Sequence, residues 1–430
     1  VVAVSDDALR KLEREVAAGP PSVRIRLAAE LERSGRTDDA VTVLLAASGD
    51  RAVRRALGRF RGPAPNDWSA PQGDARNTRR SPARGPRGEG KVLERRPLAP
   101  EGHTFFGRSQ DQRVLSPEPV PPPLLTGPYV YYSLATGRRV LAATADGHVI
   151  AENLGAGGLE WSANRDGRVA WRILMTVAHP DEANPRWWSR PHAAIAEDAT
   201  VYGVTSFRKL IAVEPNGDRR FDHDLHARVE ALALDEARGR FYLLFDDPVM
   251  LSTRDLATGK EMFAATLAQL PAAHEAIVCD DGRVACVSAF ARVAIVGVSG
   301  EVERQISFAE RVGGAHGALT PSGELVVVSS DETGAGVSHF DPASGANRGF
   351  FFARDCRGAP AVDKDGTIYL DGGGRYVMGF AIAGGAQVYK VERPTLWIAP
   401  EQPKSEFALR EGEVDFIEVT KDGVTLIRVG

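Results

Sequence analysis

The run RRFDHDLHA brings Asp222, His223, Asp224 and His226 within five positions, two carboxylates and two imidazoles of the kinds that hold a divalent cation. The spacing argues against that chemistry. In an extended chain successive side chains point to opposite faces, and Asp and His are ordinary residues at the end of a strand. His179 and Asp181 flank Pro180 in AHPDEANP and read as turn-forming. Asp363, Asp365 and Gly366 in VDKDGTIY open like a calcium loop but lack its later acidic ligand, so the expectation is an Asp-Gly hairpin. The run from Asp371 to Gly374 is read as a hairpin turn rather than a phosphate cradle, because no helix follows it. GxSxG, HExxH, a phosphate-binding glycine loop and CxxC are all missing. No catalytic, cofactor-binding or metal-binding residue is assigned on these grounds.

Other residues suit binding rather than bond making. Arg186, Trp187, Trp188 and Arg190 lie together in PRWWSRPH, and adjacent tryptophans cannot both face one side of a strand. An aromatic and arginine loop of that kind is a candidate partner-binding patch, as are Arg51, Arg54 and Arg55 in RAVRRALGRFRG. The alternatives are a ring capping the core and a solvated basic face. A net charge of −4 provides no global attraction to nucleic acid or anionic membrane. The basic span Arg76 to Arg96 has no aromatic interleaving, which weakens it as a single-strand stripe. Three cysteines, Cys279, Cys286 and Cys356, suit neither a disulfide framework nor a zinc ribbon; the apolar settings of Cys279 and Cys286 predict buried free thiols. No basic-then-apolar leader and no apolar run long enough to span a bilayer is visible, so a cytoplasmic location is expected, with a removed leader left open.

The elements that carry these residues repeat. From Gly358 to Glu392 the chain alternates short apolar strands with an Asp-Gly turn and a glycine-rich turn, and related stretches begin near His192, Glu230, Glu275 and Gly317. The period of roughly 38 to 45 residues is that of one four-stranded propeller blade. A further blade is expected from Tyr129 through Trp161, and a last one around the hairpin at Lys421, Asp422 and Gly423. A strand from upstream of Tyr129 would complete that last sheet and remove its free edge. The expectation is a mainly β chain: about seven blades over 124–430, with six or eight as alternatives, behind a Pro/Arg-rich linker at 62–123 and a small helical module at 1–61. In that module Ala28, Leu31, Ala40, Leu44 and Ala47 recur at helical spacing around a turn at Gly35.

Two resemblances follow from these residues. The small residues around Gly35 resemble a single tetratricopeptide repeat without its aromatic positions or closing proline. The segment DWSAPQGDARNTRRSP, with Trp68, Gly73, Asp74, Thr78 and Ser81, resembles the opening of pyrroloquinoline-quinone-like propellers, and the likeness extends over about 66–430. That superfamily implies a propeller fold, and for its enzymes a quinone held between a Trp and a vicinal disulfide with calcium. Here no two cysteines are adjacent, and only the stretch from Gly157 to Trp161 approaches the enzymes' Gly-x-x-x-Trp docking motif. The expected role is therefore a non-catalytic scaffold, sensor or adaptor with one or more protein partners and no cofactor, without membrane, nucleic-acid or small-molecule partners. By analogy of architecture it would serve a bacterial multi-component signalling or conflict complex. The rivals are a metal- or quinone-dependent propeller oxidoreductase or hydrolase, and a nucleic-acid-associated protein.

Overall fold

The computed structural model describes residues 19–47, 50, 52–53, 55–57, 74–97, 104–108, 112–116, 132–134, 139–143, 148–155, 158–161, 173–174, 192–198, 200–204, 209–214, 218–308, 314–372, 376–392, 407–420 and 423–430. The N-terminal part is helical. Helix α1 (Pro21–Arg33) begins with proline in its first turn, where a missing N–H costs nothing, and α2 (Thr37–Leu45) follows after Gly35, whose φ of 79° suits glycine. Leu27, Ala28, Leu31, Ala40 and Leu44 are buried together with Val53 and Leu57, so the small-residue register found in the sequence is the packed face of this hairpin. No helix among the described residues is long and apolar enough to cross a membrane.

The rest is β structure in the expected order. Seven sheets of at least four strands are described, antiparallel but for the short strand Gly88–Glu89, together with one two-stranded sheet at Thr104–Arg108 and Gln112–Ser116. In chain order the seven are blades over 132–161, 192–224, 229–266, 273–307, 315–354, 357–392 and 407–429. The number falls within the six to eight expected. The strand starts His192, Val229, Ala273, Ala315 and Arg357 lie within two residues of those read from the repeat. A bulge recurs between the third and fourth strands of the second through sixth blades, between Ala212 and Val213, Thr253 and Arg254, Ile295 and Val296, His339 and Phe340, and Gly379 and Phe380. Each adds local twist to the outer part of its blade. The first hairpins of the fourth and sixth blades turn at Gly282 and Gly366, with φ of 90° and 81°, which is the Asp-Gly chemistry anticipated from the sequence.

First strands of successive blades adjoin from the second blade to the seventh, which makes them the inner strands of the propeller. Burial follows from that position. Second strands such as Val284–Ser288 and Leu325–Ser330 are buried throughout and the inner strands nearly so, whereas the fourth strands carry most of the exposed residues. Blade faces pack on one another through continuous apolar clusters, for example Tyr202, Phe221 and Phe241 between the second and third blades, with ring centroids 5.8 to 6.3 Å apart. Val92–Pro97 pairs antiparallel with Gly423–Val429 and is the outer strand of the seventh blade, so a strand from upstream of Tyr129 completes that last sheet, as expected.

All three cysteines are buried and free. Burial pushes the thiols of Cys279 and Cys356 up to about 12, and that of Cys286 higher still. A thiolate-specific reagent at pH 8 is therefore expected to label none of the three in the native protein and all of them in denaturant, as counted by intact mass.

Candidate functional site: a strap across the inner strands and an aromatic outer edge

Each inner strand is hydrogen-bonded to its own blade on one side only. The segment Asp74–Arg84 serves the other side. Its carbonyls at Ala75, Arg76, Thr78 and Arg79 accept from the backbone N–H groups of Leu234, Val278, Leu319 and Val362, at 2.6 to 3.0 Å, one in each of the third to sixth blades. The carbonyl of Arg84 accepts from Gly412 N–H at 2.7 Å in the seventh. Asn77 Nδ2 donates to the carbonyls of Leu232 (2.9 Å) and Ala276 (3.0 Å), bridging two blades. The strap is shaped by Asp74, whose carboxylate accepts from the N–H groups of Arg76 and Thr78 and from Thr78 Oγ1. Asn77 and Arg79 take left-handed φ values of 61° and 49°. For Arg79 that conformation is unfavourable on its own and is held by bonds on both sides of it. Gly85 then slips past the Tyr369 ring, where a Cβ would collide, and Gly88–Glu89 leaves as a parallel strand beside Tyr389 and Lys390.

The charged centre of the strap is Arg79. Its guanidinium donates to both oxygens of Glu275 at 2.9 Å and to the carbonyl of Gly317 at 2.8 Å. Both side chains of the pair are buried. Glu275 also accepts from Gly317 N–H at 2.8 Å and meets His316 Nδ1 at 2.5 Å, with His274 Nε2 3.7 Å away. Burial pushes the Glu275 carboxyl up, but the charge of Arg79 and the contact with His316 outweigh it and hold the group well below 4.5. His274, Glu275 and His316 bring their ligand atoms within 4.8 Å of one another, the one such triad among the described residues. Arg79 decides how that triad reads: it already neutralises the carboxylate, and a cation bound there would sit against a guanidinium. We assign the cluster as the lock of the strap, not as a metal centre. The donors equally fail to fit a quinone with calcium, since the three cysteines are separate buried thiols.

Other arginines of the strap, and Arg87 just beyond it, are paired too. Asp280 receives Arg76 and Arg80 at 3.0 Å, Arg87 meets the buried Asp363 at 2.9 Å, and Arg84 meets Asp365 at 2.6 Å. The basic stretch that suggested nucleic acid is thus, from Arg76 to Arg87, complementary to carboxylates of the propeller itself. Asp363 keeps its expected hairpin role, accepting from Asp365 and Thr367 N–H, and adds Gly85 N–H of the strap. In RRFDHDLHA the strand alternation separates the ligand types. Asp222 and Asp224 pair with Lys209, His223 stacks on Phe221 and contacts the Thr258 carbonyl, and His226 stacks on Phe245. Of the candidate partner-binding residues, Arg55 is exposed on the helical segment after α2; Arg51, Arg54, Arg186, Trp187, Trp188 and Arg190 lie outside the described residues, as do His179 and Asp181.

Two features escaped the sequence reading. The lock residues were signalled by the repetition AHEAI and AHGAL at equivalent inner-strand positions of the fourth and fifth blades. The other is the outer strand Asn347–Arg354, in which Phe351 and Ala353 are buried while Arg348, Phe350, Phe352 and Arg354 are exposed. Phe350 is 59% and Phe352 42% accessible.

Comparison with solved structures supports the architecture. A quinohemoprotein alcohol dehydrogenase from Pseudomonas putida HK5 is similar with a TM-score of 0.52 at 9% identity, over 88% of this chain and 82% of that one. The fold is that of a β-propeller. Weaker likenesses are to BamB from Moraxella catarrhalis (TM-score 0.45, 11% identity, 79% of this chain and 99% of that one) and to a streptogramin B lyase (0.49, 10%, 79% and 98%). No protein-family model matches the sequence, and no curated protein matches it.

Removing Arg79 leaves the buried Glu275 carboxylate without its guanidinium partner, so Arg79→Ala is expected to cost about 3–5 kcal/mol in urea unfolding at pH 7, and Arg79→Met with Glu275→Leu to recover most of it. Because the folded carboxyl titrates below its unfolded value, its contribution is complete above pH 4.5 and lost as pH falls; Glu275→Gln is expected to flatten that acid limb.

Proposed function

We propose that the protein is a non-catalytic interaction scaffold whose propeller presents its outer edge to a protein partner. The observation that carries this reading is the row Arg348, Phe350, Phe352 and Arg354, which exposes much of two phenylalanines on the fourth strand of the fifth blade. Exposed aromatics flanked by arginine are the composition of binding hot spots. The strap supports the same reading. It covers the inner edges of the third to sixth blades with the protein's own backbone, and its arginines from Arg76 to Arg87 are ion-paired. The helical hairpin supplies a second surface, to which exposed Arg55 belongs.

Tagged protein purified from its source organism, with and without Phe350→Ser and Phe352→Ser, tests this reading. The expected result is a co-eluting protein in fixed stoichiometry, cross-linked to the wild-type chain and reduced in the variant. One equivalent of a bound metal or chromophore per chain, with turnover of a small substrate and no protein partner, would overturn it.

A further inference from the structure

We propose that the fifth blade binds its partner by strand addition, taking up an extended segment in which apolar residues alternate with acidic ones. The proposal rests on the scaffold reading and names the mode and the chemistry of the partner.

Asn347–Arg354 is bonded to Gly334–Phe340 on one side and, among the described residues, to no strand on the other. An open strand edge is a row of N–H and C=O groups ready to pair. Proteins blunt such edges with charge, and three of the outer strands do so: Asp222 and Asp224 in the second blade, Glu303 and Gln305 in the fourth, Lys390 and Glu392 in the sixth are exposed or partly exposed, whereas the third exposes Met262 and Ala264 behind a single Glu261. The fifth blade departs from that rule. Its outer strand has 8 residues against 6 in each of the second, third, fourth and sixth blades, and it places phenylalanines at the centre of its exposed row. Phe352 rests against Gly334, where a Cβ would meet its ring.

Two further observations choose the occupant. The propeller already accepts a fifth strand at this position one blade away, where Gly88–Glu89 pairs with Tyr389 and Lys390 of the outer strand Gln387–Glu392. The geometry of the fold therefore tolerates strand addition at a blade edge. The second is charge. Arg348 and Arg354 stand at the two ends of the aromatic row, both exposed, and Arg348 has a 3.4 Å contact with Asp341. A strand laid along the edge would bring alternate side chains over the two phenylalanines and its carboxylates to the arginines.

The test uses the whole chain and a fluorescein-labelled, acetylated peptide of alternating Val and Glu, matched in length to the 8-residue strand. Fluorescence anisotropy is expected to show saturable binding, weakened about tenfold or more by Phe350→Ser with Phe352→Ser, by Arg348→Glu with Arg354→Glu, and by N-methylation of alternate peptide nitrogens. Hydrogen exchange should slow in Asn347–Arg354 when the peptide is bound. Replacing Glu by Lys in the peptide should abolish binding. The substituted side chains are exposed, and unchanged thermal unfolding would show that the variants fold. Lack of saturable binding up to about 1 mM, or binding indifferent to the edge variants and to N-methylation, would overturn strand addition. A stoichiometric partner that still co-purifies with the Phe350→Ser, Phe352→Ser protein would overturn the edge while leaving the scaffold reading intact.

Discussion

The inner strand of a propeller blade has one edge without a partner inside its own sheet, and in this protein the hydrogen bonds from the Asp74–Arg84 strap to those edges tie the blades together. Each blade is otherwise a local unit, formed by short hairpins and packed on its neighbours through apolar faces. The strap links five of them with one backbone bond or more apiece. Its conformation is not one the chain would choose alone, since a left-handed arginine costs of order 1–3 kcal/mol. The surroundings over-determine it, and the buried pair of Arg79 and Glu275 fixes its register.

That pair also explains the charge distribution of the whole segment. A guanidinium suits a buried carboxylate because its fork satisfies both oxygens at once, and Gly317 and His316 complete the shell around Glu275. Burial of an ion pair adds little net stability over an apolar pair but penalises any arrangement that leaves one partner alone. The arginines around it extend the same complementarity at more exposed positions, where individual pairs contribute less and chiefly orient the strap.

With the inner edges covered in this way, the outer strands become the variable part of the ring. Most present charge or polar groups, which suits a surface that must not pair with copies of itself. The fifth blade presents two phenylalanines between two arginines, and the sixth has its edge capped by the protein's own Gly88–Glu89. Among the described residues the same backbone geometry thus yields a capped edge and an uncapped one on adjacent blades, the difference lying in which chain segment passes by.

Much of the fold was legible in the sequence because it is set by local physics. Turn glycines need positive φ, strands alternate with period two, and small residues at helical spacing let two helices approach. The blade starts, the Asp-Gly hairpins at Asp363 to Gly366, the helical hairpin and the buried thiols all follow from such rules. The site was less legible. Arg79 and Glu275 are 196 positions apart, and nothing local distinguishes Arg79 from its exposed neighbours Arg84 and Arg87 until the blades form a curved rim that buries one and not the others. The run Phe350-Phe351-Phe352 reads as core by composition. Alternation dictates that its middle ring faces opposite to the other two, but only the packing of Phe351 against the sixth blade decides that the outer pair is the more exposed one.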